Sequence, residues 1–294
     1  MRGEVMMFEQ YDEDFAIQYT SSGKRMSAYN SKLHTCRILY EDEKYSAIQK
    51  KHAVLVYPSS ATWGKKQELK RQATAESLAV KEMVSEAEGV VRYHCFQNKG
   101  MVKNGLVRVI DIHKYNTDIT VVQVDNSKVK AVFGQCIPVG GDTFTEKMLK
   151  YYMDKLTRVK GDITGDVHSI CVLKDRVENA KLRMGKHRMK TDEFIFRSPK
   201  DNIRYLLRIF REDYNRMISE IMEIIFSADK RLMSKACQCG YGRPETVILA
   251  GGMNQCEQCV RTVKENYEDA SVLSYKCRDA AILGAVLPTD ERGG

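Results

Sequence analysis

The sequence contains no apolar run that approaches the roughly 20 residues a helix needs to cross a bilayer. Its first 14 residues turn acidic where a secretory signal peptide would be apolar. These two absences exclude the commonest membrane-spanning and secreted classes. We therefore expect a cytoplasmic or nuclear protein without a membrane partner.

The chain also lacks the even, closely spaced cysteines of a disulfide framework. Its nine cysteines are scattered over 294 residues, so reduced thiols are expected. Cys237-x-Cys239 and Cys256-x-x-Cys259 have the look of a four-thiolate zinc site, but a predicted buried strand, 246–250, separates them. Such a strand extends roughly 16 Å, whereas zinc ligands lie within about 4 Å of one another. We therefore predict no zinc.

No internal repeat and no low-complexity tract interrupts the sequence. Hydrophobic residues make up 43% of the chain and charged residues 29%, which is typical of a soluble globular protein. A chain of 294 residues can form two domains or lobes. The net charge of +8 fits a nucleotide or nucleic-acid partner, but such a balance is more commonly solvated surface.

Strands alternate with helices in the second half, which predicts an α/β fold. The patterns predict strands over 15–19, 25–29, 52–58, 194–196, 246–250 and 271–275, and helices over 33–48, 65–84, 143–156, 166–184, 202–233, 255–267 and 279–286.

A predicted hairpin between Leu106 and Val124 brings two acids to one end. β-Branched residues dominate both arms, and a short polar break separates them. Asp111 precedes the break and Asp118 follows it. The two carboxylates could hold a hydrated Mg²⁺ ion, or they could be turn formers that hydrogen-bond their own backbone. From the hairpin alone, the turn-forming role is favoured.

Two diglycine turns could approach a ligand. Gly251-Gly252 joins a predicted strand to a helix, and Gly140-Gly141 precedes a helix that Thr143-x-x-Glu146 would open as a capping box. Glycine lets the backbone come close to a ligand, and a helix N-terminus favours an anion. A tight corner is the commoner explanation of either turn.

The predicted helix 166–184 carries polar groups beside its apolar stripe. Glu178 and Lys181 share a face and could hydrogen-bond a sugar or base, although a helix ion pair of small worth is the simpler explanation. Basic residues cluster from Lys181 to Lys190. This segment could bind RNA or another polyanion, but such a run is more commonly a solvated loop.

Taken in order, these motifs resemble the nucleotide-binding domain of the seventy-kilodalton heat-shock chaperones, from about Phe15 to Leu287. That domain has an actin-like ATPase fold of the ribonuclease H-like type, with two lobes. The similar segments are 52–58 (family V-V-T-V-P), 70–74 (R-Q-A-T), 85–86 (N-E-P-T), 111–118 (D-L-G-G-G-T-F-D), 139–144 (L-G-G-E-D-F), 178–181 (E-R-A-K-R), 248–252 (V-L-V-G-G-S) and 280–286 (A-V-A-Y-G-A-A).

The resemblance implies ATP or ADP with Mg²⁺ as the ligand, and it implies roles for the matching residues. Catalytic positions would be Glu86, near the attacking water, and Asp111 and Asp118, beside the magnesium, with Asp111 holding the metal through water. Nucleotide-binding positions would be Gly140, Gly141, Glu178, Lys181, Gly251 and Gly252.

The chain departs from the family pattern where phosphates bind. His113, Lys114 and Tyr115 stand in place of three glycines, and their side chains would fill space that the phosphates need. Non-glycine residues at positive φ cost of order 1 kcal/mol each. Leu182 replaces the arginine that packs on adenine. The resemblance begins after the family's first phosphate turn and ends before its peptide-binding domain, so we expect both to be missing.

The resemblance therefore predicts a truncated, degenerate member of the family with an incomplete first lobe. Residues 1–50 would be a remnant of its outer subdomain and 51–104 of its inner one. Residues 105–294 would form the second lobe, with an outer insertion at about 140–226 and a closing helix.

We expect weak or absent ATP binding. We also expect a function through contacts with co-chaperones, exchange factors or an authentic chaperone. Residual ATP hydrolysis by Glu86, Asp111 and Asp118 is one alternative, and polyanion binding through Lys181–Lys190 is another.

Overall fold

The computed structural model describes residues 15–19, 25–30, 35–38, 52–75, 79–98, 104–126, 128–160, 166–199, 202–275 and 279–287. Its strands are β1 Phe15–Tyr19, β2 Arg25–Asn30, β3 Thr35–Ile38, β4 His52–Tyr57, β5 Ala79–Ser85, β6 Gly105–Ile112, β7 Thr117–Asp125, β8 Lys128–Ile137, β9 Thr191–Arg197, β10 Arg204–Phe210, β11 Thr246–Gly251 and β12 Ser271–Leu273. Its α-helices are α1 Trp63–Ala75, α2 Glu86–Gln97, α3 Gly141–Lys160, α4 Val167–Lys186, α5 Arg211–Gln238, α6 Glu257–Asn266 and α7 Ala280–Ala285, with a 3-10 helix at Gly252–Gln255. Among these described helices, none combines the length and the apolar character needed to cross a membrane.

Two five-stranded sheets repeat one topology. In the first, the order is β3-β2-β1-β4-β5, with β1–β3 antiparallel and β4 and β5 added in parallel. In the second sheet, read from β8, the order is β8-β7-β6-β11-β12. Strands β6–β8 are antiparallel, and β11 and β12 are added in parallel, as β4 and β5 are in the first sheet. The fold is a mixed α/β fold consistent with an actin-like ATPase, as predicted.

The repetition is one of topology, because no repeat is visible in the sequence. Within the described residues, the sheet formed by β1–β5 has as many strands as the second sheet. The incomplete first lobe and the domain bounds at 1–50, 51–104 and 105–294 stay predictions.

One buried core joins the two sheets. Val54 and Val56 of β4 share it with Val107 and Val109 of β6, and α7 contributes Ile282. Helices α2 and α7 cross at Gly89 and Gly284, where an added Cβ on either residue would collide with the backbone of the other helix. The close crossing fixes the start of α2 relative to both sheets.

Three predicted helices are corrected by the structure. Residues 65–84 divide into α1 and the strand β5, residues 202–233 divide into β10 and α5, and residues 35–38 within the predicted helix 33–48 form β3. In β10 the alternation is real, since Leu207 and Ile209 are buried. The alternation of apolar and polar residues typical of a strand is obscured in the sequence, because Leu206 and Phe210 on the opposite, exposed face are also apolar.

The cleanest predicted helix, 166–184, is α4 with small changes at its ends. Asp166 caps its first turn by accepting a hydrogen bond from the amide of Ser169 at 3.1 Å. The helix continues two residues past its predicted end, through Gly185 to Lys186. Gly185 is buried because it packs against Tyr214 and Cys256.

Candidate functional site

The three predicted acids come together where α2 begins beside the end of the β6–β7 hairpin. Asp111 and Asp118 are cross-strand partners at the end of the β6–β7 hairpin, as the sequence predicted. Glu86 is the first residue of α2. All three are buried, and Glu86 and Asp118 place carboxylate oxygens within 4.8 Å of each other and of a His113 ring nitrogen. The contribution of these acids to catalysis stays a prediction.

A capping box places Glu86. Ser85 Oγ accepts a hydrogen bond from the amide of Glu88 at 3.2 Å, and Glu88 Oε2 accepts one from the amide of Ser85 at 2.8 Å. The S-x-x-E signal was present in the sequence. This capping signal was not recognised, because the helix predicted over 65–84 included most of the strand that ends at Ser85.

His113 supplies a cation to this cluster. Its Nε2 atom lies 3.3 Å from Glu86 Oε2 and 3.6 Å from Asp111 Oδ2. Burial alone would lower the pKa of His113, but the carboxylates of Asp111, Glu86 and Asp118 raise that pKa to about 10. The imidazole is therefore protonated at neutral pH. From the sequence, the His113 side chain was expected only to fill space that phosphates need, and its ion pairs with Glu86 and Asp111 were not predicted.

The acids are held in a poorly solvated site. Burial raises the pKa of Asp111 to about 7, with His113 opposing the shift and the neighbouring carboxylates adding to it. Burial also raises the pKa of Asp118, whose Oδ2 accepts a hydrogen bond from Ser60 at 3.2 Å. Both carboxyl groups therefore keep their protons to a higher pH than an exposed aspartate does.

The pKa of His113 predicts a pH-dependent contribution to stability. Because its folded-state pKa lies above the ordinary value of 6.5, the stabilisation should be complete below about pH 6.5 and lost as the pH rises toward about 10. The free energy of unfolding should fall over this interval by at least about 1.4 kcal/mol, the equivalent of one pKa unit.

Urea unfolding from pH 6.5 to 10 measures this loss. The His113→Gln variant should lack that component of the slope, whereas His168→Gln, at an exposed position on α4, should keep it. An NMR titration that placed the midpoint of His113 at or below the ordinary histidine value would refute the assignment.

The turn that follows β6 occupies the N-terminus of α3. The carbonyl oxygens of His113 and Lys114 accept hydrogen bonds from the amides of Gly141, at 2.8 Å, and Asp142, at 2.6 Å. A Cβ at Gly140 would lie 2.7 Å from the carbonyl oxygen of His113 and 2.8 Å from that of Lys114, so this position requires glycine. Two amides that a helix start could offer to an anion are therefore already bonded to the protein.

The predicted capping box at Thr143 is wrong. Helix α3 begins at Gly141, and the Thr143 hydroxyl accepts a hydrogen bond from the amide of Gly140 at 3.1 Å. Glu146 pairs with Lys174 of α4 instead of returning to the helix start. The glycine turn allows the helix to begin two residues earlier than the sequence pattern indicated.

Lys181 is buried in contacts between α3 and α4. Its Nζ donates to the carbonyl oxygen of Gly141 at 2.9 Å and to Thr145 Oγ1 at 2.8 Å, and lies 2.8 Å from Glu178 Oε2. Thr145 also donates to Glu178. The predicted pair Glu178 and Lys181 is thus real, and both side chains are engaged within the protein.

The second diglycine turn lies against the acid cluster. Gly251 has a φ of +77°, and a Cβ there would collide with the carbonyl of Ile112 and with Asp111. Gly252, in contrast, faces open space. The adjoining cavity is lined by Lys181, Leu182, Gly185, Lys186, Tyr214, Gly252, Met253, Gln255 and Cys256. Its volume is about 20 Å³, room for about one water molecule.

The chain is similar in sequence to several chaperone and heat-shock proteins. The chain is 23% identical over 262 residues to the chaperone protein DnaK of Anaplasma marginale, a match that covers 85% of this chain and 40% of the relative. It is 25% identical over 142 residues to the human putative heat shock 70 kDa protein 7, covering 47% and 38%.

A third match, the heat shock 70-related protein 5 of Dictyostelium discoideum, is 23% identical over 215 residues and covers 70% and 41%. The chain is similar to the heat-shock-70 proteins. It spans about two fifths of the length of these curated relatives. No family model matches it. The similarity at low identity supports a heat-shock-70-like nucleotide-binding domain.

The three residues that stand in place of the family's glycines differ in orientation. His113 enters the acid cluster, but Lys114 and Tyr115 are exposed. Lys114 Nζ lies 5.0 Å from the centre of the Tyr115 ring. The lysine therefore lies over its neighbour on the surface instead of supplying a cation to the cluster.

The basic segment Lys181–Lys190 is largely neutralised within the fold. Lys181 is buried, Arg183 makes two 2.8 Å hydrogen bonds to Asp192, and Arg188 pairs with Glu257 at 2.8 Å. Lys186 and Lys190 are exposed. This arrangement does not favour the polyanion-binding alternative.

The two cysteine pairs occupy different environments. Cys237 and Cys239 are exposed near the end of α5, whereas Cys256 and Cys259 are buried at the start of α6. A hydrogen bond from the Cys259 thiol lowers the pKa of Cys256 to about 6. Within the described parts of the chain, the group with metal-ligand geometry contains no cysteine. The absence of zinc stays a prediction.

Proposed function

We propose that the chain is a heat-shock-70-like domain that no longer uses ATP and acts through contacts with other proteins. The observation that carries this proposal is the position of His113. Its imidazolium lies between Glu86 and Asp111, at 3.3 and 3.6 Å, where the resemblance implies a hydrated magnesium ion. A cation supplied by the chain itself removes the electrostatic need for Mg-nucleotide.

The surroundings support the same conclusion on the phosphate side. The amides of Gly141 and Asp142 are bonded to turn carbonyls, and those carbonyl oxygens would repel phosphate. Lys114, the remaining cation of the turn, lies on the surface. Phosphate binding here would require the turn to break two backbone hydrogen bonds.

The region where the resemblance implies adenosine binding also supports the loss of nucleotide use. The cavity between α4 and the 3-10 helix has a volume of about 20 Å³, whereas small-molecule sites usually enclose roughly 300–1,000 Å³. Met253 is buried beside this cavity. A nucleoside would have to displace packed side chains to enter.

An exposed apolar face supports the protein-contact part of the proposal. Ile195 of β9 and Leu206 of β10 are cross-strand partners, and they are 57% and 62% exposed. Ile203 and Phe210 extend the exposed apolar surface along the same hairpin. Neighbouring exposed apolar side chains of this kind are typical of protein-binding surfaces. Co-chaperones, exchange factors or an authentic heat-shock-70 chaperone are the proposed partners.

This contact face gives a direct test with purified exchange factors and chaperones of the heat-shock-70 system. The Ile195→Asp/Leu206→Asp variant should weaken association by at least about tenfold, because each charge would have to be desolvated in the interface. Ile224→Asp should leave affinity unchanged, since Ile224 is 50% exposed on α5, on a different element. Equal affinities of all three proteins, measured by surface-immobilised binding, would remove this face from the proposal.

Residual ATP hydrolysis is a second candidate, favoured by the convergence of Glu86, Asp111 and Asp118. It requires turnover that the Asp111→Asn variant abolishes. Turnover that survives this substitution would come from elsewhere and would eliminate the candidate.

A further inference from the structure

Two buried thiols at the start of α6 lie outside the acid cluster and outside the exposed apolar face. Cys256 is the residue that precedes the helix, and Cys259 is the third residue within it. Cys256 is 5% exposed and Cys259 is fully buried. Both are free thiols, and the Cys259 thiol donates a hydrogen bond to the Cys256 sulfur. Two cysteines in direct contact, with this spacing at a helix start, are typical of a reactive dithiol.

The surroundings of Cys256 stabilise a thiolate. Its carbonyl oxygen accepts a hydrogen bond from the amide of Val260 at 3.1 Å, so the residue lies at the N-terminus of α6, where the helix dipole favours an anion. The Tyr214 hydroxyl lies 3.4 Å from the Cys256 sulfur. The hydrogen bond from Cys259 lowers the pKa of Cys256 to about 6, with burial opposing this effect and Tyr214 adding to it. Cys256 is therefore a thiolate at neutral pH.

Cys259 has the opposite character. Its hydrogen bond to Cys256 and its burial raise the pKa of Cys259, so this thiol keeps its proton. One sulfur of the pair is thus a nucleophile, and its neighbour is a protonated thiol within contact distance. Oxidation to a disulfide in two steps uses an attacking and a resolving thiol in this way.

The space beside Cys256 limits which oxidant can reach it. Cys256 lines the cavity beside Gly252, which has a volume of about 20 Å³ and room for about one water molecule. Oxidised glutathione is far larger than this cavity, whereas hydrogen peroxide is only slightly larger than water. The size of the cavity therefore favours hydrogen peroxide over a disulfide-bearing peptide.

We propose that Cys256 and Cys259 are an oxidisable dithiol that hydrogen peroxide converts to an intramolecular disulfide. The Cys256 thiolate attacks one peroxide oxygen, the O–O bond breaks, and the departing hydroxide takes a proton from solvent to become water. Cys256 is then a sulfenic acid. The Cys259 sulfur attacks the Cys256 sulfur, the S–O bond breaks, and the hydroxide leaves as water with the Cys259 proton. Two electrons pass from the two sulfurs to the peroxide, and no step depends on the loss of nucleotide use.

The test is exposure of the reduced full chain to hydrogen peroxide, followed by alkylation of the remaining thiols and digestion with a protease that cleaves after glutamate. Because Glu257 lies between the two thiols, Cys256 and Cys259 fall on separate peptides, 246–257 and 258–265, neither of which contains another cysteine. We expect mass spectrometry to find these two peptides joined to each other. Reduction with dithiothreitol should separate them.

Variants locate the chemistry. Cys256→Ala and Cys259→Ala should each abolish the linked peptides. In Cys259→Ala, Cys256 should gain oxygen instead, because no thiol resolves the sulfenic acid. Cys237→Ser/Cys239→Ser, which removes the exposed pair near the end of α5, should leave the linkage unchanged. Melting scans establish that each variant is folded, and the unsubstituted chain decides the matter if the alanine variants do not fold.

Recovery of Cys256 and Cys259 as alkylated thiols from the peroxide-treated folded chain would overturn the proposal. So would a disulfide from either residue to a different cysteine, or a linkage that appears only after the chain is unfolded in urea. The nucleotide proposal is judged separately, because this test contains no nucleotide and the Mg-nucleotide titration is made with the thiols reduced.

Discussion

Arg108→Met is expected to lower the free energy of unfolding by about 3–5 kcal/mol, the usual cost of removing one partner of a buried ion pair. Arg108 of β6 lies 3.0 Å from Asp229 of α5, and both side chains are buried. Tyr267 donates to the same carboxylate oxygen at 2.7 Å, and its ring lies 4.8 Å from the guanidinium carbon. The substitution would leave the carboxylate of Asp229 buried without its cation.

Urea unfolding at neutral pH measures this loss. Arg108→Met/Asp229→Leu should recover most of the stability, since replacing both partners by apolar groups is often nearly neutral. Arg216→Met, which removes an exposed i,i+3 pair with Asp213, should change the free energy of unfolding by no more than about 0.5 kcal/mol. A loss below about 1 kcal/mol for Arg108→Met would show that the buried pair is not a principal link between β6 and α5.

Local patterns in the sequence were enough to predict the acid pair. Alternating β-branched residues fixed both arms of the β6–β7 hairpin, and the polar break fixed its turn. Asp111 and Asp118 therefore fell opposite each other, as the strand register shows. The resemblance to the chaperones then added Glu86, which no local spacing connects to the hairpin.

The role of His113 could not be predicted in this way. Its nearest partner, Glu86, lies 27 positions earlier in the chain, and the two meet only because α2 begins beside the second sheet. The same limit applies to Lys181, whose position on α4 was clear but whose partners, Gly141 and Thr145, belong to α3. These contacts are determined by how the helices and sheets pack together, which local sequence patterns do not specify.

Strand β5 shows a different limit. The predicted helix 65–84 included most of Ala79–Ser85, because helix α1 ends only a few residues before this strand begins. Parallel pairing with β4 makes this segment a strand despite its helical sequence pattern, because β5 then buries Val84 in the core. Elements defined by distant pairing are the ones that periodicity does not resolve.

The second large effect concerns nucleotide. An intact heat-shock-70 domain should gain about 2.7 kcal/mol of stability at a ligand concentration 100 times its Kd. We expect no such gain for this chain with Mg-ATP or Mg-ADP, because His113 holds the cation position and the cavity beside Gly252 has room for about one water. An authentic heat-shock-70 nucleotide-binding domain, melted under the same conditions, is the matched control.

Calorimetric titration of the purified chain with Mg-ATP and Mg-ADP tests the central claim most directly. The predicted result is no binding heat for either nucleotide and no hydrolysis, under conditions in which the control domain binds and turns over. Micromolar affinity accompanied by turnover would contradict the account, since a nucleotide would then occupy the place where His113 supplies the cation and where turn carbonyls bond the amides of Gly141 and Asp142.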